Sequence, residues 1–293
     1  MRRYSYRHQR TLARPVEVHG VGFLTGADVC ARFLPAPPAT GVVFMRTDLQ
    51  PAAPIAARVE QVTGTQRRTT LGHAPAQVGL VEHVLAALAG LRLDNCVVEL
   101  NAPEPPGLDG SSRRFADALR QGGTALQPAR RAVCTVDKPV VVGHDGATLA
   151  LHPAEGDELR ISYLLDYGPH SPIGRQAHTQ VITPGRFAGE LSSCRTFLLE
   201  EEATELRRQG LGARTTAADL LVFGAHGPIE NRLRYANEPA RHKVLDILGD
   251  LALFGHDLRG HVVAHRSGHP LNVELVRQLS RELAQECHAP RAA

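Results

Sequence analysis

The stretch Arg241-His-Lys-Val-Leu-Asp-Ile-Leu-Gly-Asp250 carries apolar residues at helical spacing, which places His242 and Asp246, four apart, on one face of one helix. A His and an Asp one turn apart make a two-ligand arm of a metal site. A second run, Leu80-Val-Glu-His-Val-Leu-Ala-Ala-Leu-Ala-Gly-Leu91, also reads as a helix and holds Glu82 and His83 inside an otherwise apolar sequence. Charge in such surroundings requires a partner or a chemical role. The two runs overlay without gaps: Glu82 meets His242, His83 meets Lys243, and Val84, Leu85, Leu88 and Leu91 meet Val244, Leu245, Leu248 and Leu251. Each is followed by a strand-like run, Cys96-Val-Val-Glu-Leu100 and His261-Val-Val-Ala264. The halves therefore read as a repeated unit. Equivalent helix ends facing across a cleft would gather Glu82, His83, His242 and Asp246. A plainer reading, two Leu-rich amphipathic helices with a few polar residues, fits the same spacing.

At 293 residues the chain can form two ordinary domains with full cores. Apolar residues are 43% and charged residues 22%, a globular balance and not a disordered one. No apolar run approaches the ~18 residues of a membrane-spanning helix. The basic N-terminus, Met1-Arg-Arg-Tyr-Ser-Tyr-Arg-His-Gln-Arg10, leads to no apolar signal-peptide core, so a cytoplasmic location is expected. A net charge of +3 is weak for a nucleic-acid binder. The five cysteines (30, 96, 134, 194, 287) are scattered and form no C-x-x-C pair, which suggests neither a disulfide framework nor a Cys-based zinc site. Cys96 and Cys134 lie in strand-like runs and read as small buried hydrophobes. Among the 33 basic residues only Lys138 and Lys243 are lysines, so the compact ammonium beside His242 is an exception to the arginine habit of this chain.

Punctuation sets the organisation. Residues 11–50 alternate apolar and polar around Gly20, Gly22, Gly26 and Pro35, Pro37, Pro38, which predicts strands and hairpins. A helix from about 79, a strand near 96, a turn at Pro105-Pro-Gly-Leu-Asp-Gly110 and a helix after Ser111 and Ser112 follow. Gly122 to Arg131 reads as a linker, dividing domain 1–126 from domain 131–293. The second half restarts with strands at Ala132–Val136, Pro139–Val142, Ala147–Leu151 and Leu159–Leu165, continues through a helix at 185–209 and the helix at 241–254, and closes with a helix from Pro270 to Cys287. Strand clusters followed by helices predict α+β, two similar layered sheet/helix sandwich domains with the active site between them.

Seven segments occur in the order and spacing of one family: Thr40-Gly-Val-Val-Phe-Met-Arg-Thr-Asp48, Val81-Glu-His-Val-Leu-Ala-Ala-Leu-Ala-Gly90, Leu93-Asp-Asn95, Leu108-Asp-Gly-Ser111, Arg195-Thr-Phe197, His242-Lys-Val-Leu-Asp246 with Gly249-Asp250, and Ser267-Gly-His-Pro-Leu-Asn272. From about residue 8 to 285 the chain resembles the zinc-dependent UDP-3-O-acyl-N-acetylglucosamine deacetylases of lipid A biosynthesis. The resemblance implies that His83, His242 and Asp246 bind Zn2+, three N/O ligands leaving a fourth position for water. It implies that Glu82 is the general base and that His269, held cationic by Asp250, stabilises the tetrahedral intermediate and protonates the departing amine. It further implies that Thr196 assists the oxyanion, that Lys243 and Phe197 contact substrate, and that Asp166 and Tyr167 lie near the uracil. The plainer alternative for Asp166 and Tyr167 is a strand-end turn before Gly168-Pro169. The partner implied is an acylated UDP-amino-sugar, met by a monomer that touches a membrane surface only transiently.

Departures concentrate away from the metal ligands. Leu24 stands where the family commonly has a histidine, Ala213-Arg-Thr-Thr216 replaces a Gly-Gly-Ser stretch that shapes the acyl passage, and Arg67 and Arg68 precede Thr69 where the apolar route passes. A basic group that often meets the nucleotide phosphates has no clear counterpart near Ala147. Arg67, Arg68 and Arg214 could line a channel with their stems while their charged ends reach solvent. A paralogue acting on another acylated or unacylated amino-sugar is the alternative, and an Arg-rich binding module is a third reading, which would need no ligand, base and acid set.

Overall fold

The computed structural model describes residues 1–154, 156–217 and 219–288, with the side chains of Cys287 and His288 outside that description. Two five-stranded sheets organise it. In the first, strands run in the order Val16–Val21, Asp28–Pro35, Cys96–Leu100, Val42–Arg46, Pro54–Ala56; in the second, Val140–His144, Ala147–His152, Gly260–His265, Leu159–Leu165, Gln176–Val181. Both contain the same sequence of pairings, two antiparallel, then one parallel, then one antiparallel. In both, a strand downstream of the helix that carries His83 or His242 takes the centre, Cys96–Leu100 in the first and Gly260–His265 in the second.

Among the described residues six α-helices complete the class: α1 (Glu82–Gly90), α2 (Arg113–Gly122), α3 (Pro184–Arg186), α4 (Glu200–Arg208), α5 (Glu238–Leu251) and α6 (His269–His288). Helix α2 covers strand Val16–Val21 of the first sheet, α1 packs on α2 and α5, and α5 and α6 cover the second sheet. Helix α1 is apolar nearly all round, with Val84, Leu85, Ala86, Ala87 and Leu88 buried, as a helix enclosed by neighbours must be. It starts at Glu82 rather than 79 because Leu80 takes a positive φ of 54°. None of the helices described is long and apolar enough to cross a membrane.

A single glycine sets the approach of α1 to α5. A Cβ on Gly249 would lie 2.2 Å from the Glu82 carbonyl oxygen. Gly249→Ala is therefore expected to force the helices apart at the site, costing about 1–3 kcal/mol as an overpacked core does. Denaturant unfolding checks it, with an unchanged midpoint contradicting the packing argument.

Two expectations from the sequence are corrected. Gly122 to Arg131 is not an open linker: α2 ends at Gly122, and Thr124–Thr135 is a strand zipped antiparallel to Arg2–Leu12. Pro128 is tolerated because the register shifts between His8 and Gln9, leaving residues 128–129 without ladder partners. The region 185–209 is not one helix. After α3 and a π-turn at Phe187–Leu191, the chain leaves helical geometry, Phe197–Leu199 pairs as a parallel strand with Leu221–Phe223, and only then does α4 begin. Between the π-turn and that strand, Arg195 ties the chain to α5, its buried guanidinium and backbone N–H donating to Glu238 (2.8 Å from Nε, 3.1 Å from N). Among the described residues Cys30, Cys96, Cys134 and Cys194 are free thiols, with Cys96 and Cys134 buried as expected.

Candidate metal centre and active site

The structure brings together the three side chains that the helical spacing singled out. The ligand atoms of His83, His242 and Asp246, all buried, lie within 4.8 Å of one another. His242 Nε2 is 3.2 Å and His83 Nε2 3.7 Å from Asp246 Oδ1, and the two imidazoles meet edge to face, centroids 5.0 Å apart.

Their hydrogen bonds leave one task undone. His242 Nδ1 lies 3.1 Å from the Cys194 carbonyl oxygen, which can only accept, so Nδ1 carries a proton and the ring turns its Nε2 toward Asp246. Asp246 Oδ2 accepts from Lys243 Nζ at 2.9 Å, yet Oδ1 is buried without a hydrogen-bond partner. Two ligand atoms, His242 Nε2 and Asp246 Oδ1, face each other at 3.2 Å in a buried site. A cation between them reconciles the arrangement.

The protonation states agree with ligation. Burial, with His242 beside it, pushes His83 down to about 3 against the pull of Asp246, so its ring is neutral. Burial works to raise Asp246, but the charges of His242 and Lys243 hold it well below the usual carboxylate range. The neutral His83 imidazole and the ionised Asp246 carboxylate are forms that bind metal.

Beside the ligands lies an acid-base pair. Glu82 precedes His83 on α1; burial raises its carboxyl to about 7 although His269 pulls the other way. Its Oε2 accepts the Thr69 backbone N–H (3.1 Å), and its Oε1 stands 3.9 Å from His269 Nε2. His269 Nδ1 donates to Asp250 Oδ2 at 2.7 Å, and Asp250 also accepts from Asn272 Nδ2 (2.8 Å) and Thr69 Oγ1 (2.6 Å). Burial opposes the imidazolium, but Asp250 outweighs it and His269 is pushed up to about 9. Thr69 and Asn272 therefore support the pair, and the sequence assigns a role to neither, since a threonine before a strand and an asparagine inside a helix carry no local signal of what they will touch.

The segment Cys194 to Phe197 closes the site. Cys194 supplies the carbonyl that orients His242, and Arg195 anchors the segment to α5 through Glu238. The Thr196 N–H donates to the Gly110 carbonyl (2.7 Å), and a Cβ on Gly110 (φ +75°) would sit 2.9 Å from Thr196 Cγ2, so the Leu108–Ser111 turn seats Thr196. The Phe197 ring packs on His242 (6.2 Å) and Tyr167 (5.9 Å), with Lys243 Nζ 5.3 Å from its centroid. Lys243, Phe197 and Tyr167 thus border the metal group. Asp166 does not join them: it accepts the Gly168 N–H (2.8 Å) and pairs with Arg175 (3.1 Å), the strand-end turn of the plainer reading.

An apolar cavity of about 130 Å³ opens from Leu80 and Thr196 between Phe23, Leu24, Leu198 and Leu206. Arg67 and Arg68 line it, Arg67 reaching Glu202 at 3.2 Å, and so do Thr215 and Thr216. Arg214 does not line it: its guanidinium donates to the Gly26 carbonyl and Asp28. A larger cavity of about 390 Å³ lies at the other end of α1 and α5, against Leu88, Arg92 and Leu251, and includes none of the residues of the metal group.

Comparison with known proteins places these features. A model of the UDP-3-O-acyl N-acetylglycosamine deacetylase family matches residues 9–281. The chain is 38% identical to the bifunctional enzyme LpxC/FabZ of Chlorobaculum tepidum over 94% of its own length, and spans only 64% of that protein. It is 38% identical to the UDP-3-O-acyl-N-acetylglucosamine deacetylase of Myxococcus xanthus (95% of this chain, 88% of the relative) and 39% identical to that of Thermosynechococcus vestitus (94% of each).

Proposed function

The chain belongs to the UDP-3-O-acyl-N-acetylglucosamine deacetylase family, an amidohydrolase family of lipid A biosynthesis, and from that membership we propose that its metal is zinc, held by His83, His242 and Asp246. The observation that carries the proposal is the buried, unbonded Asp246 Oδ1 facing two imidazole nitrogens. When bound there, zinc would lower the pKa of a water toward ~7 and polarise the acetamide carbonyl.

The remaining roles belong to the chain. Glu82, buried and raised to about 7, takes a proton from the attacking water; a cation held by its neighbour His83 would lower that pKa and favour the ionised base. His269, cationic below about 9 and braced by Asp250, stabilises the developing negative charge and gives its Nε2 proton to the departing nitrogen. An amide nitrogen leaves poorly until protonated, so this acid is required. The Thr196 hydroxyl, at the junction of metal group and cavity, assists the oxyanion. Lys243, Phe197 and Tyr167 contact the sugar nucleotide, Asp166 shapes the turn that presents Tyr167, and the 3-O-acyl chain enters between Leu24, Leu198 and Leu206.

The same strand order and pairing in both sheets supports a duplicated origin, with domains 1–126 and 131–293 meeting at α1 and α5. A cytoplasmic monomer suits a water-borne nucleotide sugar with a lipid tail, the membrane surface being touched only in passing.

The purified protein is expected to hold about one zinc per chain, and His83→Ala and His242→Ala are each expected to lose it. Metal analysis decides: full zinc in both variants would overturn the ligand assignment. Iron in place of zinc would overturn only the identity of the metal, since Fe2+ accepts the same N/N/O set.

A further inference from the structure

On the solvent side of the first sheet, three metal-capable side chains meet that the reaction does not use. Glu17 and His19 are two apart on strand Val16–Val21, so they leave the same face, while Val18 between them is buried. His19 pairs across the ladder with Cys30 of strand Asp28–Pro35. The Cys30 N–H donates to Asn101 Oδ1 (2.8 Å) on the other flank of its strand, which makes His19 and Cys30 a pair without mutual backbone hydrogen bonds. Side chains approach most closely in pairs of that kind.

The distances suit a tetrahedral cation. His19 Nε2 is 3.4 Å from Glu17 Oε2 and 3.9 Å from Cys30 Sγ, and all three donor atoms lie within 4.8 Å of one another. Ligands at zinc bond lengths of ~2.0–2.3 Å around a tetrahedron stand roughly 3.3–3.6 Å apart. His19 and Glu17 already stand at that separation, and the sulfur lies only a few tenths of an ångström beyond it from His19. The other Glu17 oxygen is occupied, Oε1 lying 3.3 Å from Arg32 Nε, which turns Oε2 toward His19 as an outer contact does for a ligand.

We propose that Glu17, His19 and Cys30 form a second metal site, for a divalent cation that accepts a thiolate, such as Zn2+, with solvent water as fourth ligand. Binding replaces the thiol proton by a metal–sulfur bond and releases that proton to solvent. The cation ties the edge strand Val16–Val21 to its neighbour. The site stands apart from the His83 group and does not depend on the reaction assigned to it.

Sulfur distinguishes the two sites, because the His83, His242 and Asp246 set contains none. Cobalt(II) titrated into protein that carries one zinc per chain, the amount the His83 group holds, is expected to produce a thiolate-to-cobalt charge-transfer band in the near ultraviolet that saturates at about one cobalt per chain and is erased by further Zn2+. Cys30→Ser is expected to abolish the band while leaving deacetylation at the parent rate, and His19→Ala and Glu17→Gln to weaken cobalt binding at least about tenfold. No sulfur band in the parent protein, or a band that survives Cys30→Ser, would overturn the proposal.

Discussion

Glu82→Gln is expected to lower kcat to the floor of the about 10²–10⁴-fold range that a general base contributes, while zinc stays bound and the fold is kept. The amide has the shape of the carboxylate, and its oxygen can still accept the Thr69 N–H that Glu82 Oε2 accepts now. What is lost is the ability to take a proton. Because burial already disfavours the charged form of Glu82, the variant should unfold no more easily than its parent. Zinc content, a thermal melt and steady-state acetate release on one preparation separate these effects. Retained turnover with zinc in place would mean that another group is the base.

His269→Ala is expected to cost several hundred-fold in kcat, within the same ~10²–10⁴ range, and to change the pH profile in a way no packing defect would. With the imidazolium pushed up to about 9, the working form predominates below that pH and activity falls as pH rises through it. The variant should lose this alkaline limb. Asp250→Asn should retain a limb at lower pH, since burial opposes the cation and the charge that outweighs burial has been removed. An alkaline limb unmoved in both variants would take His269 out of the reaction.

Much of this site could be read before any coordinates. The i, i+4 placement of His242 and Asp246 holds on any helix, and the gapless overlay on Glu82 and His83 named the four residues that α1 and α5 do bring together. The misreadings have a common physical origin, which is that pairing with distant segments overrides local pattern. Phe197–Leu199 lies in a helix-permissive run and becomes a strand only because Leu221–Phe223 offers a parallel edge. Thr124–Thr135 contains a proline and paired arginines and is a strand because Arg2–Leu12 zips onto it. Arg214 was misplaced for a similar reason, its guanidinium being claimed by Gly26 and Asp28 of the other half. Thr69 and Asn272 acquire their roles only through Asp250. Likewise Cys30, scattered in the sequence, meets His19 only across a ladder.

On the proposed function, the His83 group and the neighbouring cavity serve one substrate, an amino-sugar nucleotide whose 3-O-acyl chain leaves water for the walls around Leu24, Leu198 and Leu206. Each methylene buried there contributes ~0.8 kcal/mol, roughly a fourfold gain per carbon. Arg67 and Arg68 line the passage without closing it if their stems flank it, as the outward pairing of Arg67 with Glu202 indicates. The direct measurement is acetate release from UDP-3-O-acyl-N-acetylglucosamines of increasing acyl length. A steep rise of kcat/KM that levels when the cavity is filled is the predicted result, with the unacylated sugar turned over poorly; a flat or falling dependence would contradict the account.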